Sequence, residues 1–171
     1  MAAGKGNRVP AASLPVLSGG TWMRAVVQRV TEASVSVDGK VISAVGEGLM
    51  VLLGVENGDT VQDARYLADK LTGLRIFEDE QDKMNLSVAD RGGEILMVSQ
   101  FTLCADCRHG RRPSFTDAME PAAAKALYET AMEYCRQNGV VTKPGQFQAH
   151  MQVRLVNDGP VTIVLDSRKR I

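Results

Sequence analysis

Ser99, Gln100 and Thr102 bring two hydroxyls and an amide together in the pentapeptide Ser99-Gln100-Phe101-Thr102-Leu103, at the end of an apolar stretch. Such exits commonly carry sites, because polar groups there need partners and loops tolerate them. If a strand ran on, Ser99, Phe101 and Leu103 would face one way and Gln100 and Thr102 the other; if it broke, backbone N–H groups would open to a ligand. An ordinary strand exit accounts for the same residues. A hydroxyl nucleophile would need a base. The chain offers His109 and His150 as imidazoles, but no G-x-S-x-G elbow and no H-E-x-x-H, so a Ser-His-Asp triad would require a coincidence of placement.

Cys104-Ala105-Asp106-Cys107 invites a metal or redox reading, with His109 as a third ligand and Cys135 or His150 as a fourth. A zinc ribbon would supply a second close pair, and a redox pair would open a helix rather than follow a strand, so these residues are read as free loop thiols with no metal. Arg108, Arg111 and Arg112 beside Gly110 and Pro113 suit phosphate contacts and suit a solvated loop equally well. Asn157-Asp158-Gly159-Pro160 is composed as any turn would be. Glycine also lets a carbonyl approach a ligand, and proline stiffens the same segment. Gly46-Glu47-Gly48 lacks the third glycine of a phosphate loop and precedes a strand, which disfavours nucleotide hydrolysis.

The elements that must position these groups follow from periodicity. Val26, Val30 and the alternating Ser34-Val35-Ser36-Val37 lead into Asp38-Gly39, a two-residue hairpin signal. Val41 to Val45 continues a meander, and the nearly unbroken apolar run Leu49 to Val55 predicts a central strand buried on both faces. Thr60 precedes apolar positions spaced three and four apart (Val61, Ala64, Leu67, Ala68, Leu71, Leu74), which predicts an amphipathic helix ending near Gly73. A charged loop holding Met84 and Leu86 then leads through Gly92-Gly93 to a strand from Ile95 to Leu103. Pro121 opens a second helix with its stripe at Ala124, Leu127, Tyr128, Ala131 and Cys135, stopped by Asn138-Gly139. Val140-Val141, Gln148 to Val156 and Val161 to Asp166 read as strands, the last two separated by Asn157 to Pro160. Two helices among about seven strands predict an α+β single domain with a largely antiparallel or mixed sheet.

At 171 residues the chain suits one domain, expected over residues 23–171. Residues 1–22, acid-free and rich in Ala, Gly, Ser and Pro, are expected to be a disordered extension. Twenty basic residues balance twenty acidic ones, so contact with nucleic acid must be local, and DNA is not an expected partner. Three cysteines fit a reducing, cytoplasmic setting, and no apolar run reaches membrane-spanning length, so no membrane partner is expected.

Three segments in order, Ser99 to Leu103, Arg111-Arg112-Pro113-Ser114-Phe115 and Asn157 to Thr162, resemble the D-aminoacyl-tRNA deacylase family. So do the run Met23 to Val30 and a G-x-F-x-A-x-M-x-V pattern at Gly145, Phe147, Ala149, Met151 and Val153, giving a likeness over nearly all of residues 23–167. The resemblance implies that family's fold and a homodimer in which Gly159-Pro160, joined by a cis peptide bond, enters the partner's pocket with Arg29 fixing the loop. It implies an ester hydrolase acting on the 3′ end of D-aminoacyl-tRNA, and on glycyl esters, without a cofactor. Catalysis is then expected at Ser99, Gln100, Phe101 and Thr102 through backbone N–H groups and the ribose 2′-hydroxyl, with Phe101 and Phe147 lining the adenine or aminoacyl pocket. Thr102 as a covalent nucleophile is the competing view, and no His, Lys or terminal amine stands in an evident position to activate it. A noncatalytic tRNA-binding module and a metal hydrolase using Cys104, Cys107 and His109 are the rival classes.

Overall fold

The computed structural model describes residues 22–171. Most of the expected disordered extension therefore lies outside the described residues. Trp22, at its end, stacks between the guanidinium groups of Arg24 and Arg170, 4.8 and 4.6 Å from its ring.

The alternating valines form one long strand, β1 (Arg24–Val37). It turns at Asp38-Gly39, both at positive φ, into β2 (Lys40–Val45). The apolar run becomes β3 (Gly48–Gly54), which is central, antiparallel to β1 on one side and parallel to β6 (Glu94–Ser99) on the other. A short β7 (Thr142–Pro144) extends the sheet parallel to β6. The last strand, β8 (Gln152–Asp166), pairs with β1 along almost its whole length. The sheet is therefore mixed. A two-stranded ribbon of β4 (Phe77–Glu78) and β5 (Met84–Leu86) occupies the segment expected to be a charged loop.

Helix α1 (Val61–Gly73) starts where Thr60 and Asp63 cap each other reciprocally, the Thr60 N–H donating to Asp63 Oδ2 at 2.8 Å. Helix α2 (Pro121–Gln137) begins with proline in the first turn, and the Glu120 carboxylate accepts from the N–H groups of Ala122 and Ala123. Both helices lie on one face of the sheet, where Leu67, Leu71, Ala131 and Cys135 meet Val27, Val51, Leu53, Ile95 and Met97. Leu67 and Leu71 have no solvent exposure, so truncating either to alanine costs about 2–5 kcal/mol. A smaller cluster of Val30, Ala33, Val35, Met50, Leu96 and Val98 is covered by Met151 and Leu155.

Four further expectations are corrected. The strand predicted to reach Leu103 ends at Ser99, because the chain tightens into a 3-10 turn, Phe101–Cys104. The strand predicted at Val140-Val141 forms at Thr142–Pro144, since the N–H of Val140 completes the end of α2 by donating to the Cys135 carbonyl at 3.1 Å. Gln148 to Met151 lie outside the strand, which begins at Gln152, and Gln148 has φ 61°. Asn157 to Pro160 do not separate two strands but bulge within β8: Val30 pairs with Asn157 and Gln28 with Thr162, leaving a single β1 residue, Arg29, opposite the four between them.

Candidate functional site

The 3-10 turn sits over the end of β3, and glycine at position 54 is what admits it. A Cβ there would stand 2.9 Å from Leu103 Cβ and 3.0 Å from the Gln100 carbonyl. The Gln100 N–H donates to the Leu53 carbonyl at 2.8 Å, the last ladder-like bond before the chain turns. Inside the turn Leu103 and Ala105 donate to the carbonyls of Gln100 and Thr102. The two leading N–H groups, of Phe101 and Thr102, have no acceptor among the described residues. The Gln100 amide donates to the Thr102 hydroxyl, which orients that oxygen without activating it.

In front of the turn lies a cleft of about 700 Å³, within the range of small-ligand sites. Its walls include Val98, Ser99, Gln100, Phe101, Phe115 and Phe147. Phe101, 57% exposed, meets Phe115 edge to face with ring centroids 5.1 Å apart. Phe147 backs onto Tyr128, centroids 6.0 Å apart. The Tyr128 hydroxyl donates to the Met97 carbonyl at 2.7 Å, and its burial pushes the phenol up to about 12, so it is a fixed donor. The cleft thus joins apolar faces to open backbone donors.

Ser99, Gln100, Phe101 and Phe147 are brought together in the walls of one cleft, with Thr102 one residue beyond on the same turn. Gly159 and Pro160, exposed on β8 and joined by a cis peptide bond, are not in the walls of this cleft. Arg29 is beside them, 4% exposed, donating from Nε to the Asp158 carbonyl at 3.2 Å and from Nη1 to the Ile76 carbonyl at 2.8 Å. Glu78 pairs with the same guanidinium at 2.8 Å, and that hydrogen bond lowers its carboxyl pKa. Arg111 and Arg112 are exposed in a loop closed by Asp106 and Ser114, whereas Arg108 is occupied by Asp106 at 2.7 Å.

The metal reading finds no cluster of ligating side chains among the described residues. All three cysteines are free thiols. Cys104 is buried, and desolvation, reinforced by Glu56, pushes its thiol up to about 12. Sequence reasoning did not place Met119 in the cleft, nor Phe115 and His150, which stood out only in the family likeness and as an imidazole, because two separate stretches of chain meet there through tertiary placement. Ala149, Met151 and Val153, also in its lining, carried a signal in the G-x-F-x-A-x-M-x-V pattern.

Fold and cleft together define an α+β protein with a largely apolar cleft, walled by aromatic rings beside open backbone donors. The chain belongs to the D-Tyr-tRNA(Tyr) deacylase family, whose profile matches residues 26–166. It is similar to the D-aminoacyl-tRNA deacylase of Thermotoga petrophila, 60% identical over 86% of this chain and 99% of the relative. The enzyme of the same description from Anaeromyxobacter dehalogenans is 62% identical with the same coverage. A solved structure described as c-Myc DNA Unwinding Element Binding Protein superposes with a TM-score of 0.79 at 46% identity, covering 83% of this chain and 97% of that one. A probable eukaryotic D-amino acid tRNA deacylase shares the fold at 19% identity, with a TM-score of 0.73 over 85% of this chain and 99% of that one. No helix among the described residues is long and apolar enough to cross a membrane.

Proposed function

We propose that this protein is a D-aminoacyl-tRNA deacylase that hydrolyses the ester between a D-amino acid, or glycine, and the terminal ribose of tRNA. The observation that carries the reading is the turn at the head of the cleft, where the N–H groups of Phe101 and Thr102 have no acceptor among the described residues and the rings of Phe101 and Phe147 line the pocket beside them. An unpaired adenine or aminoacyl group stacks on such rings. The ester is already activated, so holding it against backbone donors that stabilise the tetrahedral oxyanion lowers the barrier without a strong protein base. Water adds to the carbonyl carbon, the ester C–O bond breaks, and the ribose oxygen leaves with a proton. The neighbouring 2′-hydroxyl of the tRNA assists that attack.

Selectivity in this reading comes from a second copy of the chain. The outer edge of β8 has no strand partner among the described residues and exposes Val153, Val156 and Val164, the kind of edge that a partner covers. In a homodimer the Gly159-Pro160 bulge of one subunit enters the other's cleft as a rigid backbone wall. Such a wall admits hydrogen at the α-carbon and excludes an L side chain. Glycine passes the same filter. In the same reading the exposed Arg111 and Arg112 meet tRNA phosphates, and the balanced net charge makes any such contact local.

The test is release of amino acid from D-Tyr-tRNA, L-Tyr-tRNA and Gly-tRNA in metal-free buffer. Fast loss of the D and glycyl esters with the L ester spared is the expected result. Tight tRNA binding with no release above the spontaneous rate would make the protein a noncatalytic module instead.

A further inference from the structure

Arg24 and Glu56 lie behind the cleft and line none of it, yet they join its two walls. Arg24 Nη1 donates to the Leu103 carbonyl, in the 3-10 turn, at 2.5 Å. Its Nη2 pairs with Glu56 Oε1 at 3.0 Å, with the Glu56 side chain only 5% exposed. The other Glu56 oxygen accepts the Trp22 N–H at 3.1 Å, and Trp22 stacks on the Arg24 guanidinium.

The backbone around Glu56 holds the opposite wall. Glu56 bridges to Ala118, the Asn57 N–H donates to the Asp117 carbonyl at 2.9 Å, and the Met119 N–H donates to the Val55 carbonyl at 3.0 Å. Ala118 and Met119 line the cleft. The Cys104 thiol, at the end of the 3-10 turn, also reaches the Val55 carbonyl, at 3.5 Å. One short segment, Val55 to Asn57, is thereby fastened to both sides of the pocket, and the Arg24 guanidinium is the link that carries charge.

We propose that Arg24 and Glu56 are positioning residues for deacylation: the planar guanidinium, anchored by the buried carboxylate, sets where the turn bearing Phe101 and Thr102 stands relative to the Ala118–Met119 wall. A guanidinium can satisfy two acceptors from one rigid fork, whereas an ammonium presents a single point charge. The bond to Leu103 is charge-assisted and therefore short and directional. Donors that meet a developing oxyanion lose effect with small displacements, about a hundredfold in rate for a shift of roughly 1 Å. Substrate capture is shared with rings carried by other segments, Phe115 and Phe147, so turnover is the quantity that moves most. The inference rests on the deacylase reading for its assay.

The experiment compares wild type, Arg24→Lys, Arg24→Gln and Glu56→Gln for kcat and KM on D-Tyr-tRNA, with thermal midpoints measured in parallel. Lysine keeps the charge against Glu56 but lacks the fixed fork that holds Glu56 and the Leu103 carbonyl on separate nitrogens. Arg24→Lys is therefore expected to keep its Tm within a few degrees of wild type while kcat falls about ten- to hundredfold and KM stays within about threefold. Glu56→Gln keeps an acceptor for Trp22 and should lower kcat in the same sense, which preserves the comparison if Arg24→Gln does not fold. Wild-type kcat in Arg24→Lys and Glu56→Gln, or losses that follow the folded fraction alone, would overturn the proposal. A wild-type protein inactive on D-Tyr-tRNA would sink the deacylase reading instead.

Discussion

Arg29 and Asp158 meet twice: Nε donates to the Asp158 carbonyl at 3.2 Å and lies 3.3 Å from its carboxylate. A buried side chain of β1 thereby holds the backbone immediately before Gly159-Pro160. The same guanidinium is fixed from behind by the Ile76 carbonyl and Glu78, so its direction is set by the β4 segment and not by solvent.

Arg29→Lys keeps a charge but loses the fork that spans Asp158, Ile76 and Glu78. Selectivity for D-Tyr-tRNA over L-Tyr-tRNA is expected to fall about tenfold or more, as parallel deacylation rates would read. Unchanged selectivity in a folded variant would remove Arg29 from control of the loop.

Gly159 has φ 120°, and a Cβ there would lie 3.0 Å from Val161 Cγ2 and 3.1 Å from Arg29 Nη2. Gly159→Ala is expected to cost on the order of 1–3 kcal/mol by chemical denaturation and to blunt D/L discrimination. A variant as stable and as selective as wild type would show that the bulge has more room than these distances allow.

Thr102→Ala removes a hydroxyl that accepts from the Gln100 amide and leaves the backbone N–H groups of the turn in place. Activity within about tenfold of wild type is the expected result. A loss approaching a millionfold, of the size seen when a covalent nucleophile is removed, would make Thr102 the nucleophile.

Asp59 is 7% exposed; its Oδ2 accepts the Glu56 N–H at 2.7 Å, and its Oδ1 has no partner among the described residues. Desolvation raises its pKa to about 7 from 3.8. The folded state therefore holds a proton that the unfolded chain has already released across that interval, so this group's contribution to stability falls as pH rises from about 4 to about 7 and is level above it. Tm measured at pH 5 and pH 8 should show a drop of a few degrees that Asp59→Asn flattens. An identical slope in the variant would place the proton elsewhere.

Cys104 is buried with its thiol pushed up to about 12, and the exposed Cys107 does not line the cleft. Deacylation is expected to survive both mild peroxide and excess chelator. A reversible loss on oxidation would restore the two thiols as a switch, and a loss in chelator would bring back the metal-dependent reading.

Much of the frame was legible because it is written in local periodicity. Val61 to Gly73 and Pro121 to Gln137 carry helical spacing with their caps, and Gly48 to Gly54 carries the unbroken apolar run of a strand covered on both faces. The small ribbon of β4 and β5 was not legible. Its residues have neither length nor alternation, and Phe77 pairs with Leu86 for tertiary reasons. At the candidate site, Ser99 to Thr102 could be picked out as polar residues at a strand exit, but extension or a break were equally open until the chain was seen turning over Gly54.

The sequence by itself determined the fold class, the order of the two helices and the main strands before them, the family likeness and the two segments on which the functional reading depends. Tertiary structure alone decided that Asn157 to Pro160 are a bulge inside one strand, that Gly159-Pro160 stand apart from their own subunit's cleft, and that Arg24 and Glu56 tie the cleft's walls together. The physical reason is range. Helical and strand periodicities report burial over neighbouring residues, whereas Arg24 to Leu103 and Arg29 to Asp158 are contacts across 79 and 129 positions, and no local pattern encodes which distant carbonyl a guanidinium will find.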